Sequence, residues 1–246
     1  MHREARLYRD EGVVLRTIKL GEADRIVTLF TQGHGKVRAV AKGVRKTTSR
    51  FGARLEPTSR VALQCHHGRE LDIVTQAETL EVHRALREDY ALFTHAVPIL
   101  EAVDQVAPER EPNPALYRML CGALRTLAER RSTLVTAAFF WKVLSLEGFH
   151  PVLEGCARCG EEAGPGDAEL VAFDLDEGGT LCRACARGAG RPLSPPALAL
   201  LRRMLGGRLN GVLAEDTGAA GHEVEHLGFR ALEHHAERRL RSTAAL

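Results

Sequence analysis

Four of the six cysteines stand in two C-x-x-C pairs, Cys156-Ala-Arg-Cys159 and Cys182-Arg-Ala-Cys185, with 22 residues between them. Two such turns can bring four thiolates to one tetrahedral ion, at a zinc–sulfur distance of about 2.3 Å. The interval is slightly longer than the usual C-x2-C-x15–20-C-x2-C spacing, and a hairpin through Leu170-Val-Ala-Phe173 would fill it. Gly160 and Gly178-Gly179 lie beside the pairs, where tight turns let backbone N–H groups point at sulfur. The expectation is one structural Zn2+ per chain on Cys156, Cys159, Cys182 and Cys185. Unligated thiols or a redox pair are the alternative. A catalytic zinc is not expected, because four sulfurs leave no open position for water. Cys65 continues the Val61/Leu63 face of a strand and reads as a small buried hydrophobe. Cys121 sits beside a helical stripe with no partner at ligand spacing, and the pairs His66-His67 and His234-His235 read as surface residues whose members face different ways.

The second pattern is cationic. Lys36, Arg38, Lys42, Arg45, Lys46, Arg50 and Arg54 follow one another with no acidic residue among them. On a strand, Val37, Ala39 and Ala41 share one face, while Lys36, Arg38, Val40 and Lys42 share the other. Continued into a loop of Gly, Thr and Ser, these cations form a stripe suited to phosphates, with hydroxyls and loop amides beside them. Phe51 is the aromatic in the run that could offer a stacking surface. The bland alternative is a solvated charged loop. Charge along the chain favours the first reading: residues 1–70 carry 15 Lys/Arg against 7 Asp/Glu, whereas 71–155 carry 8 against 12 and 156–190 carry 3 against 7. Residues 191–246 carry 8 against 6, and the whole chain is formally +2. A basic first quarter ahead of a neutral-to-acidic remainder is the asymmetry of a module that faces a polyanion.

Enzymatic motifs are absent. Gly43-Val-Arg-Lys-Thr-Thr lacks the spacing of a P-loop, and no H-E-x-x-H, G-x-S-x-G or zinc-deaminase signature occurs. The chain therefore reads as a binding protein, not an enzyme.

These residues need elements to position them. Short apolar or alternating runs at Val13–Leu15, Ile26–Phe30, Lys36–Ala41, Val61–Leu63 and Leu71–Val74, separated by glycine-bearing turns, read as five strands. Five strands with a longer break after the third fit a small closed barrel of OB type, and an SH3-like barrel fits the periodicity nearly as well. From about residue 80 the period changes to helical. Val82, Leu86, Tyr90 and Phe93 begin one helix, with a bend expected near Pro98, and Leu116 to Leu127 make a second. Leu134 to Ser145, apolar on two faces, make a central one that Ser132-Thr133 is placed to cap. Ser194-Pro195 marks a further helix start, and His222 to Leu240 a last helix, with Gly206-Gly207 and Gly218–Gly221 expected to be loose. The fold class is multidomain α+β: an OB-fold β-barrel over 1–80, an α-helical domain over 81–154 and 191–246, and a four-cysteine zinc-finger module over 155–190. The charged N-terminus lacks a signal-peptide core, and the most apolar stretch is interrupted by Lys142, so no membrane association and a cytoplasmic location are expected.

From about residue 8 to 190 the sequence resembles the bacterial RecO family of DNA repair and recombination mediators. The likeness rests on Glu11-Gly-Val-Val-Leu-Arg, Gly21-Glu22-Ala-Asp24-Arg-Ile-Val-Thr-Leu-Phe-Thr31, Gly35-Lys36-Val-Arg-Ala-Val-Ala-Lys-Gly43, Phe51-Gly52 with Leu55-Glu56-Pro57, and Thr75-Gln-Ala-Glu78. Phe140, Gly148-Phe149, Pro151, Gly178-Gly179 and the four paired cysteines complete it. The resemblance implies an N-terminal OB-fold, a helical body and an inserted zinc module. It also implies binding of single- and double-stranded DNA, annealing of complementary strands, and partnership with the RecR ring protein. The implied task is work on DNA coated by single-stranded-DNA-binding protein, so that RecA is loaded; the segment past Pro196 has no assigned role. Two rival readings remain, an RNA-binding OB-fold/zinc protein and a zinc-dependent enzyme.

Overall fold

The computed structural model describes residues 7–47, 49 and 51–236. Contacts divide the chain between Arg131 and Ser132 into two compact units. By contacts, the first three helices group with the barrel, and the cysteine module groups with the later helices.

In the first unit, β1 (Leu7–Leu20), β2 (Asp24–Thr31), β3 (Gly35–Ala41), β4 (Arg60–His66) and β5 (Asp72–Glu81) close into a barrel of order β1-β2-β3-β5-β4. The β3–β5 contact is parallel, pairing Ala39 with Asp72 and Val40 with Ile73, and the other pairings are antiparallel. That closure decides for the OB-type barrel over the SH3-like one. Alternation in β3 places Val37, Ala39 and Ala41 inside with Val14, Val27, Leu29, Val61, Leu63, Cys65 and Val74. Val44, Phe51 and Leu55, from the segment between β3 and β4, join the same core. Phe51 is only 1% exposed, so it cannot present a ring to a base. Its hydrophobicity is used where the long β3–β4 connection must be tied down.

Elsewhere on the barrel the Tyr8 ring packs against both His34 and His67, with centroids at 4.3 and 4.5 Å, and the two imidazoles are 6.4 Å apart. Its hydroxyl donates to buried Asp72 at 2.6 Å. Asp72 also accepts from Arg110 at 2.8 Å and from the Gly68 N–H at 3.0 Å. Burial opposes ionisation of this carboxyl, but those three donors outweigh it and hold Asp72 below the usual carboxylate range.

Three helices follow: α1 (Arg84–Glu88), α2 (Tyr90–Val106) and α3 (Pro114–Arg130). The single helix expected from Val82 is two, because Asp89 stands between them as N-cap of α2 and accepts from Leu92 N–H. Tyr90 is consequently exposed. Outward-facing Phe30 on β2 is fully buried, its ring 6.4 Å from Tyr117 of α3. The α2–α3 connection crosses β3 so closely that a Cβ on Gly35 would lie 2.0 Å from Glu111 O, and the glycine's φ of +66° is one that side chains disfavour.

The second unit contains α4 (Leu134–Leu146), the hairpin β6 (Leu170–Asp174) and β7 (Gly179–Cys182), the short β8 (Arg191–Pro192), α5 (Pro195–Leu205), α6 (Leu209–Val212) and α7 (Gly218–Ala236). α4 is buried on almost every side, as its two apolar faces demand, and Thr133 at its N-cap makes no side-chain cap bond. Trp141 anchors it to α7, its Nε1 donating to Val224 O at 3.2 Å. Ser194 caps α5 as expected, its Oγ accepting from Ala197 N–H. Gly218–Gly221, expected to be loose, instead open α7, because Gly221 is buried and a Cβ there would lie 3.0 Å from the Leu134 side chain. No helix of the described residues is long and apolar enough to cross a membrane.

Candidate metal centre and nucleic-acid interface

The four paired cysteines meet. The Sγ atoms of Cys156, Cys159, Cys182 and Cys185 all lie within 4.8 Å of one another, and none forms a disulfide. Cys159 and Cys182 Sγ are 3.9 Å apart. Four sulfurs at about 2.3 Å from one tetrahedral ion sit about 3.8 Å from each other, so the four thiols form a donor set of the kind that holds such an ion.

Each pair forms a turn: Gly160 N–H donates to Cys156 O at 2.8 Å, and Ala186 N–H to Cys182 O at 2.9 Å. The expected hairpin occupies the interval, and Cys182 ends β7 opposite Leu170. Thr180 staples the first turn to this hairpin. Its hydroxyl donates to Gly155 O at 2.8 Å, and its carbonyl accepts from Ala157 N–H at 2.7 Å. Burial disfavours the Cys156 thiolate, but backbone N–H groups of Cys159, Cys182 and Arg158 bring its pKa down to about 6. Cys185 is pushed up to about 12, first by the Cys182 sulfur and then by burial. Packed thiolates resist joint ionisation, and a cation at their centre removes that resistance.

The cationic stripe divides into groups with different surroundings. Lys36 and Arg38 do lie on the outer face of β3. Lys36, however, is covered: its side chain is 13% exposed, and Nζ donates to Asp104 O on α2 at 2.5 Å. Arg16 also reaches Asp104, at 2.5 Å. An outward position on a strand is not a solvent position when a helix from later in the chain lies over it, and the Lys36 ammonium is engaged by α2. Arg38 is half-exposed, 3.9 Å from Glu109. Lys42, Arg45 and Lys46 are exposed, and among the described residues none is ion-paired. Arg54 is exposed and donates to Phe51 O, whereas Arg50 lies outside the described residues.

The β1–β2 turn and the first residue of β2 hold the loop at Gly43 and Arg45. Gly43 N–H donates to Asp24 Oδ1 at 2.7 Å, Arg45 N–H to Ala23 O at 3.0 Å, and the Arg45 guanidinium to Gly21 O at 3.2 Å. On the outer face nearby, Ile18 pairs with Ile26, and Ile26 with Val40. Ile18 is 48% exposed, so an aliphatic strip accompanies the cations. Neither Asp24 as an anchor nor this strip follows from the charge pattern; the alternating Ile18 and Leu20 were their one local signal.

Two family models match this chain and meet just past the end of β5. The family described as "Recombination protein O N terminal" matches residues 1–83, and "Recombination protein O C terminal" matches residues 87–244. A protein named DNA repair protein RecO from Frankia casuarinae is 44% identical over 240 residues, covering 96% of each chain. One of the same name from a Nocardioides species is 44% identical over 244 residues, covering 97% of this chain and 98% of the other.

Proposed function

The chain belongs to the RecO family of DNA repair proteins, and on that premise we propose that it is a non-enzymatic mediator that binds DNA through its barrel and anneals complementary strands. With the RecR ring protein it would help load RecA on DNA coated by single-stranded-DNA-binding protein. The observation that carries the reading is the exposed trio Lys42, Arg45 and Lys46, free of ion pairs among the described residues, beside Arg38 and the Ile18–Ile26–Val40 strip. Cations displace counterions from phosphates without regard to sequence, and an aliphatic surface accepts the apolar faces of unpaired bases. Annealing requires lower repulsion between two polyanions, which a basic surface supplies without nucleotide hydrolysis.

The metal we assign to the cysteine cluster is zinc in a structural role. Cys156, Cys159, Cys182 and Cys185 would hold it, and it would cross-link the two turns and the hairpin. Binding of single-stranded DNA, duplex DNA and RNA of matched length, measured across salt concentrations, tests the central claim. DNA affinity that falls steeply with salt, together with accelerated strand annealing, is expected. Equal or tighter RNA binding without annealing would favour the RNA-binding alternative, and no salt-dependent binding would reject both.

A further inference from the structure

Within the second unit a cavity of about 400 Å³ opens between the end of α4, the β6–β7 hairpin and α7. Its apolar wall includes Trp141, Leu144 and Phe173, all buried, and Phe149 and Val152, which are 54% and 46% exposed, with the His235 ring against Phe149 at a centroid distance of 3.7 Å. Phe149 is held there by the chain reversal that ends α4. Its N–H donates to Leu144 O at 2.8 Å and the Gly148 N–H to Ser145 O at 3.2 Å, the Schellman arrangement, with Gly148 at φ +92°. The wall is firm, because Trp141 is bonded to Val224 O and packs edge-on against Phe173 at 5.7 Å. A pocket of this size and lining holds one or two large apolar side chains.

The mouth carries two carboxylates, Asp176 and Glu177, together with the imidazoles of His150, His234 and His235. It receives the C-terminal end of α4, the negative pole of that helix. Asp176 at the hairpin tip has a side chain 89% exposed and meets His234 Nε2 only at 3.5 Å. Glu177 beside it is already paired with Arg158 at 2.9 Å. The surrounding 156–190 segment carries 7 Asp/Glu against 3 Lys/Arg, a surface that repels nucleic acid. We propose that this pocket docks a partner polypeptide by one bulky apolar side chain flanked by Lys or Arg, with Asp176 receiving the cation. The inference is independent of the DNA reading, since these residues belong to the other compact unit.

The test uses the full chain and two fluorescein-labelled pentapeptides, one with tryptophan between two arginines and one with tryptophan between two glutamates. Fluorescence anisotropy should show the arginine peptide binding at least tenfold tighter. Phe149→Ala should weaken it at least fivefold, and Asp176→Lys should narrow the preference between the peptides. Asp176 is at an exposed turn, so that variant keeps the test decisive if Phe149→Ala folds poorly. Equal affinities, no binding at millimolar peptide, or affinities unchanged by both substitutions would overturn the proposal.

Discussion

Lys36 and the trio Lys42, Arg45 and Lys46 belong to one run of cations, yet their substitution should have opposite consequences. Lys36 is nearly enclosed and donates to Asp104 O at 2.5 Å. Lys36→Ala removes a charge-assisted hydrogen bond, costing about 2 kcal/mol because Arg16 still neutralises the Asp104 carboxylate. At ~2–4 °C per kcal/mol for a chain of this size, the melting temperature should fall by about 4–8 °C. DNA affinity of the folded protein should stay within twofold of the parent. Replacing Lys42, Arg45 and Lys46 together by Ala should leave the melting temperature near that of the parent, since all three are exposed. If each meets one single-strand phosphate, the slope of log K against log salt should flatten by about 2, and affinity at 0.1 M salt should drop about 100-fold. Differential scanning fluorimetry and filter-binding titrations on the same preparations separate the two outcomes. A Lys36→Ala protein with unchanged melting temperature and a flatter salt slope would refute the reasoning, because it would make Lys36 a phosphate contact and not a clasp to α2.

Other substitutions probe the metal centre, the core and two titrating groups. If the cluster holds one zinc and the barrel binds DNA as proposed, Cys156→Ser and Cys185→Ser should each abolish the zinc and loosen the cysteine module while DNA binding persists; elemental analysis and DNA titration on one purified variant check both. Phe51→Ala should cost about 3–5 kcal/mol as a core truncation, read by chemical denaturation, with the salt slope of DNA binding unchanged in the folded fraction. Burial, with Arg125 adding to it, holds the His83 pKa below its usual value. The native state therefore takes up this proton later than the unfolded chain, and stability present above about pH 6.5 should decline as pH falls through it. Replacing His83 by Gln should remove that part of the pH dependence in urea titrations between pH 7.5 and 5.5. Asp72 has the same sign at lower pH: its contribution is complete above about pH 4 and is lost on further acidification, a loss that Asp72→Asn should lack.

What was legible in the residues themselves was everything set by local period or ligand spacing. Alternation in Val37, Ala39 and Ala41 announced a strand with one buried face, and that face is the barrel interior. Two C-x-x-C turns with room for a hairpin between them announced a four-sulfur cluster, and the sulfurs converge. Contacts between distant residues decided the remainder. OB rather than SH3-like closure depends on a parallel pairing of Val40 with Ile73, across 32 intervening residues that carry no local mark of it. Period two says that Lys36 points away from the barrel core, but only the path of α2 decides whether water, phosphate or Asp104 awaits it. Phe51 in a polar loop looks like an exposed ring until the barrel core is seen to include it. The helices after residue 80 likewise divide at Arg131, because α1–α3 pack on one another and, through α2, on β1, while α4 packs on α5 and α7 within the second unit. A side chain's chemistry and local direction are properties of its neighbours in sequence, whereas its solvent exposure is a property of whatever the fold brings over it.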